Sequence, residues 1–319
     1  MSSFLAGIFL FFGCLLLYKG ADFFVQGSVS FARRLHIPPF LIGLTLVAMG
    51  TSAPELFVNI TAAFQGASDL SIANILGSNL VNIALGLGLA AIIVPVTLHK
   101  ATIWKEIPFT FLATIFLIAF AVDIPFDHTM GLLGRVDALL LLLGFVVFLI
   151  YAIKTVEKKE SPQYETDVVS LPLSFCYVFG GLSALGFGGY LTVQGAVSFA
   201  EMLGVTERII GLTVVAIGTS LPEIMTTVVA ALRRQTDIAV GNIVGSNIFN
   251  ILCILGLTAF IRPVVISSNI FFDIFIVLFA TFLLFIFMFI GKRHTLERSQ
   301  GWIFVLGYLG YLVYIVFKG

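Results

Sequence analysis

The chain repeats itself. VQGSVSFARRL beginning at Val25 returns as VQGAVSFAEML at Val193, and IGLTLVAMGTSAPEL at Ile42 returns as IGLTVVAIGTSLPEI at Ile210. DLSIANILGSNLVNI at Asp69 returns as DIAVGNIVGSNIFNI at Asp237, and Pro95 returns as Pro263, always at an offset of 168 residues. Between Val25 and Pro95 no gap is needed. Shared hydrophobicity would not hold Gly, Pro, Glu and Asn in register, so the chain is a duplicated unit.

Each copy contains five apolar runs. A bilayer core of about 30 Å is crossed by about 20 apolar residues in a helix. Runs of this kind lie at about 3–34, 39–65, 70–94, 105–122, 132–153, 171–203, 207–232, 238–261, 270–290 and 301–317. The composition agrees: 59% of residues are apolar and only 11% charged, whereas soluble domains have about a quarter charged. A soluble globule and a disordered chain are both excluded. The formal net charge is zero, which gives no basic surface for nucleic acid. An odd number of spans per copy forces the second copy to enter the membrane from the opposite side. The expected fold is an all-α polytopic membrane protein of ten transmembrane helices. Two inverted five-helix repeats, 1–153 and 171–319, flank a cytoplasmic linker, 154–170, with interrupted helices at the midplane. Many secondary transporters share that plan, with the substrate site between the repeats.

Lys and Arg set the orientation, because short cytoplasmic loops are enriched in them. Alternate loops hold Arg33, Arg34, Lys100, Lys105, Lys154, Lys158, Lys159, Arg233, Arg234, Lys292, Arg293 and Arg298. The opposite loops hold only Arg135, Arg208, Arg262 and Lys318. Both termini are therefore expected outside. The first run lacks a basic leader and a small-residue cleavage site, so it reads as a retained span. Cys14, Cys176 and Cys253 each stand alone in apolar runs and read as small buried hydrophobes.

The chemistry lies in two motifs per copy. The first is GTSxPE: Gly50, Thr51, Ser52, Pro54, Glu55 and Gly218, Thr219, Ser220, Pro222, Glu223. A proline there removes a backbone donor and interrupts the helix, with Gly50 and Gly218 as the carbonyls it frees. Such carbonyls at membrane depth line a cavity or hold an ion. Ser52 and Thr51 can share a helix face with Glu55. The second motif is GSNxxN: Gly77, Ser78, Asn79, Asn82 and Gly245, Ser246, Asn247, Asn250. A carboxylate at the bilayer centre costs at least about 2.5–3.5 kcal/mol and marks an ion pathway. The repeated spans offer Glu55 and Glu223 no buried Lys or Arg partner. Facing glutamates repel unless a cation lies between them. Oxygen donors alone suit a hard cation, and Asn82, Asn250 and carbonyls can complete a calcium shell of about six to eight. The same cluster can also divide into smaller sodium sites. Lys19 and Asp22 are placed to pair locally, Asp69 and Asp237 read as helix caps, and Asn74 and Asn242 either line the pathway or bond neighbouring helices.

GTSAPE with GSNLVN, repeated as GTSLPE with GSNIFN, closely resembles the α-repeats of the cation/calcium antiporter superfamily. The likeness is to its sodium/calcium exchanger family, in the compact prokaryotic form. It implies that Glu55 and Glu223 coordinate calcium and also serve sodium, with Asn82 at the centre. Thr51 and Thr219 would contribute backbone carbonyls, as would Ala48 and Ala216 at outlying sodium sites lined by Ser52, Ser78, Ser220 and Ser246. Members often have Asp where this chain has Asn250, which leaves two carboxylates at the centre and the coupling ion open. The expected function is sodium/calcium antiport by alternating access, in a prokaryotic inner (plasma) membrane. Its partners are the two ions and the lipid bilayer, with no cofactor, no catalytic residue and no obligate protein partner. Proton- or potassium-coupled antiport is the alternative. A passive channel ranks lower, and an intramembrane hydrolase using Ser52 or Ser220 lowest, because no basic residue repeats beside either serine. The first and sixth spans, long and glycine-rich, are expected to slide against the other eight.

Overall fold

A computed structural model describes residues 3–121, 131–155, 169–204, 216–266 and 270–318. Helix α1 is Ser3–Arg34, and a bent pair follows, α2 (Pro39–Thr51) and α3 (Ala53–Gln65), inclined at 46°. Next come α4 (Ser68–Ile93), α5 (Thr102–Phe120), α6 (Arg135–Thr155) and α7 (Leu171–Met202). The second half continues with α8 (Ala216–Thr219), α9 (Leu221–Leu232), α10 (Thr236–Ile261), α11 (Ile270–Phe287) and α12 (Arg298–Lys318). Among the described residues eight helices are long and apolar enough to cross a membrane, and the bent pair makes a ninth. The start of the expected seventh span and most of the linker, 156–168, lie outside the described residues.

Polarity is arranged inside out. Glu55, Asn82, Glu223 and Asn250 are wholly buried, whereas Phe4, Phe57 and Leu143 stand exposed on the perimeter. In water that distribution would be ruinous; in hydrocarbon the apolar perimeter is the solvated surface. Cys14 and Cys176 are on this perimeter too, exposed rather than buried as expected, and Cys253 is half-buried. A thiol at a lipid-facing position needs no protein partner, so apolar sequence context did not distinguish core from lipid.

Two apolar clusters form the interior. The larger joins α4, α5, α6, α10, α11 and α12, and the smaller joins α1, α2, α7, α9 and the start of α10. Within the smaller one, α1 and α7 run antiparallel at very close range. A Cβ on Gly20 would lie 2.9 Å from the Leu185 nitrogen, and one on Gly188 2.8 Å from the Leu17 nitrogen. Gly27 likewise meets Tyr177 and Val178. These glycines recur every seven residues, which keeps them on one face and lets the backbones touch, as small residues do in membrane helix pairs.

Short antiparallel ladders close the two ends. β1 (Val96–Thr97) pairs with β4 (Thr295–Leu296), and β2 (Leu132–Leu133) pairs with β3 (Val264–Val265). Each ladder joins one half of the chain to the other. At the β1–β4 end His99 Nε2 lies 2.8 Å from Asp237, and Arg34 donates to the Val169 carbonyl at 2.7 Å. The described parts of the Lys- and Arg-rich loops thus gather at this end. Arg262, from the sparse set, lies at the other end against Gly66.

Two local expectations are corrected. Asp22 pairs with Arg233 through two contacts of 2.6 and 2.5 Å, not with Lys19, whose ammonium sits 5.7 Å from the Tyr18 ring centre. Asp69 and Asp237 are not caps: Ala67 and Gln235 occupy the cap positions, and the acids fall in the first turns. There they still favour the positive helix end, and Asp237 also meets His99.

Candidate ion-binding site

The site is built where two helices break. Ser52 interrupts the chain between α2 and α3 with φ −80° and ψ 10°, and Ser220 does so between α8 and α9 with φ −86° and ψ 3°. Pro54 and Pro222 follow as second residues of α3 and α9. Their missing N–H falls in a first turn, where no intrahelical acceptor exists, so proline starts the new helix rather than disrupting it. Glu55 and Glu223 consequently stand in the first turns of α3 and α9. The free N–H groups and helix dipole there favour a carboxylate. This is how the fold tolerates two buried acids with no cationic partner among the described residues.

Neither serine caps its own helix. Ser52 donates instead to Glu223 Oε1 at 2.8 Å, and Ser220 to Glu55 Oε1 at 3.1 Å. Each half therefore holds the other's glutamate. Helix periodicity places Ser52 and Glu55 close along one chain, but the break at Ser52 turns its hydroxyl across the interface. Ser78 also donates to Glu55 Oε1, at 3.2 Å, whereas its repeat mate Ser246 donates to the Ala48 carbonyl at 3.3 Å. The repeat is therefore not perfectly symmetric at this point.

The threonines cross as well. Thr51 Oγ1 donates to Asn242 Oδ1 at 3.1 Å, and Thr219 Oγ1 to Asn74 Oδ1 at 3.2 Å. Asn242 Nδ2 in turn reaches the Glu223 carbonyl and Thr227 Oγ1. Asn74 and Asn242 are thus braces between helices. Ala216 opens α8 next to a segment outside the described residues, and its side chain lies outside them too.

Asn82 and Asn250 sit where α4 and α10 widen into π-turns, Asn82–Leu87 and Phe249–Ile254. Such turns favour functional positions because they displace side chains from the regular helical array. Asn82 Nδ2 donates to Asn247 Oδ1 at 3.1 Å, and Asn250 Nδ2 to Asn79 Oδ1 at 3.0 Å. Asn79 and Asn247 belong to the GSN motif but received no role from sequence; their exact repetition was the signal.

After all these bonds, four buried oxygens of the site residues are left without a donor: Glu55 Oε2, Glu223 Oε2, Asn82 Oδ1 and Asn250 Oδ1. Buried acceptors are satisfied in nearly all proteins. Four orphans on repeat-matched residues make an oxygen-only donor set suited to a hard cation. The described histidines, His36, His99 and His294, all lie in the segments between helices, so no described imidazole stands beside Ser52 or Ser220.

The profile of the family described as sodium/calcium exchanger protein matches residues 5–154 and again 173–317. The chain belongs to the sodium/calcium exchanger family. The chain is similar to the putative antiporter CaxA of Alkalimonas amylolytica, 38% identical over 98% of this chain and 99% of that one. The sodium/calcium exchanger MaX1 of Methanosarcina acetivorans is 29% identical over 97% of this chain and 98% of its own. The fold is similar to the solved structure of the sodium-calcium exchanger NCX_Mj soaked without Na+ and Ca2+. That similarity has a TM-score of 0.82 at 31% identity, over 98% of this chain and 100% of that one.

Proposed function

We propose that the protein exchanges sodium for calcium across a membrane by alternating access, with Glu55 and Glu223 at the centre of the ion site. The observation that carries this reading is the set of four donor-less oxygens on Glu55, Glu223, Asn82 and Asn250. Two ionised carboxylates balance one calcium or two sodium ions, so either load suits the site and both together do not. Competition of that kind is the physical basis of exchange. Thr51 and Thr219 contribute backbone carbonyls, and Ser52, Ser78, Ser220 and Ser246, with the carbonyls of Ala48 and Ala216, complete the outlying sodium positions. The approach of Ser246 to the Ala48 carbonyl supports one such position.

The surrounding architecture is two inverted five-helix units, 1–153 and 171–319, joined by the 154–170 linker. The double family match and the cross-half ladders β1–β4 and β2–β3 support this division. The basic loops face the cytoplasm and both termini the outside of a prokaryotic inner membrane. The relatives are named as exchangers and antiporters, so no catalytic residue is assigned.

Proteoliposomes loaded with sodium and diluted into sodium-free buffer should accumulate calcium-45 against its gradient. Uptake indifferent to the sodium gradient, but driven by potassium or protons, would overturn sodium coupling. Dissipative flux that no counter-ion can drive uphill would mean a channel.

Alternation involves α1 and α7 sliding as one pair over the remaining helices. Their close glycine contacts and their place in the smaller apolar cluster support this. The Asp22–Arg233 contact ties α1 to the end of α9 in the present conformation. Asp22→Asn is expected to shift the inward/outward ratio by up to about fivefold, the scale of about 1 kcal/mol for a partly exposed pair. Cysteine accessibility at positions beside the site, read in sodium and in calcium, measures it. An unchanged pattern would show that this contact does not hold the pair.

A further inference from the structure

We infer that Asn79 and Asn247 are positioning residues that force Asn82 and Asn250 to present oxygen, and never NH2, to the bound cation. The inference rests on the exchange reading above and deepens it. An amide has a donor end and an acceptor end of nearly equal shape, so its neighbours decide which end points where. Here the decision starts from the backbone. Asn79 Nδ2 donates to the Asn247 carbonyl at 3.2 Å, and Asn247 Nδ2 to the Asn79 carbonyl at 3.1 Å. A backbone carbonyl can only accept, which fixes the NH2 ends of both residues.

Their oxygens must then face the other way. Asn79 Oδ1 meets Asn250 Nδ2 at 3.0 Å, and Asn247 Oδ1 meets Asn82 Nδ2 at 3.1 Å. Asn250 and Asn82 are thereby obliged to spend their NH2 groups on these partners. What remains is Asn82 Oδ1 and Asn250 Oδ1, buried and without a donor. Reversing either amide would set oxygen against oxygen here and leave an NH2 group for the cation. The reciprocal bonds tie α4 to α10, so the setting of one half's ligand depends on the other half's chain. A carboxylate at position 250 would need no such device, because both its ends are oxygen.

That difference supplies the test. Calcium dissociation constants are measured by titration calorimetry on purified protein in detergent, for a cycle of Asn79→Ala and Asn250→Asp. With Asn250 present, Asn79→Ala should weaken calcium binding about tenfold, as the loss of one oriented oxygen ligand would. With Asn250→Asp, the same change should cost less than about twofold, because the carboxylate offers oxygen in any orientation. Equal loss in both backgrounds would mean a merely structural role and would overturn the inference while leaving exchange intact. Wild-type protein that binds no calcium would instead overturn the exchange reading and this inference with it. Asn247→Ala with Asn82→Asp repeats the cycle on the other half if Asn79→Ala does not give monodisperse protein.

Discussion

Glu55→Gln and Glu223→Gln are each expected to lower sodium-driven calcium uptake below about one hundredth of wild type, a loss of at least about 2.7 kcal/mol of ion stabilisation. Gln has nearly the shape of Glu and still offers one oxygen. The hydroxyls of Ser52, Ser78 and Ser220 thus keep an acceptor at these positions. The scaffold is retained while the charge is lost. One remaining carboxylate cannot neutralise a divalent ion in a buried site, where uncompensated charge is far costlier than in water. The new NH2 group also takes the place of Oε2, the orphan oxygen aimed at the ion. Flux in proteoliposomes, beside a size-exclusion profile matching wild type, separates loss of ion binding from loss of fold. Wild-type flux in either variant would remove that carboxylate from the site.

Much of this site was legible in the sequence, and for a definable reason. A glutamate in an apolar span has to be explained, and finding it twice at one offset leaves little besides an ion site. The same logic gave Asn82 and Asn250, which repetition picks out among apolar residues. What sequence could not show is which half meets which. Periodicity tells which residues share a helix face, but Ser52 serves Glu223 rather than Glu55 because the helix breaks at that serine. Sequence proximity pairs Asp22 with Lys19, whereas the end of α9 delivers Arg233 to it from far along the chain. Asn79 and Asn247 stood in the motif without a role because their function lies in reciprocal contacts between the halves. The cysteines failed for another reason: hydrophobic sequence is the same whether a residue faces protein or lipid.

Gly245→Ala is expected to abolish transport by spoiling the contact on which the two halves meet. A Cβ at Gly245 would press onto the Leu44 carbonyl and come within 2.7 Å of the Ala48 methyl. Neighbouring Gly241 is as tightly placed, with 2.6 Å to the Phe40 carbonyl, so α10 cannot tilt to make room. It must move away from α2. Overpacking of this kind costs about 1–3 kcal/mol, but the functional loss should be larger than the stability loss. Displacing α10 stretches the Thr51–Asn242 bond, now 3.1 Å, and the Ser246–Ala48 contact, now 3.3 Å. It also shifts Asn250 relative to Glu55 and thereby disperses the oxygens on which the ion depends. Thermal melting followed by size-exclusion chromatography, run beside calcium-45 flux, should show a fall of a few degrees and near-complete loss of uptake. Gly144→Ala is the control, since its Cβ would sit 3.6 Å from Leu252, an ordinary contact, and should change neither quantity. Ala48→Gly added to Gly245→Ala removes the methyl clash but not the carbonyl one, so it should restore only part of the flux. Full recovery would show that side-chain crowding, rather than the approach of the two backbones, sets the geometry of the site.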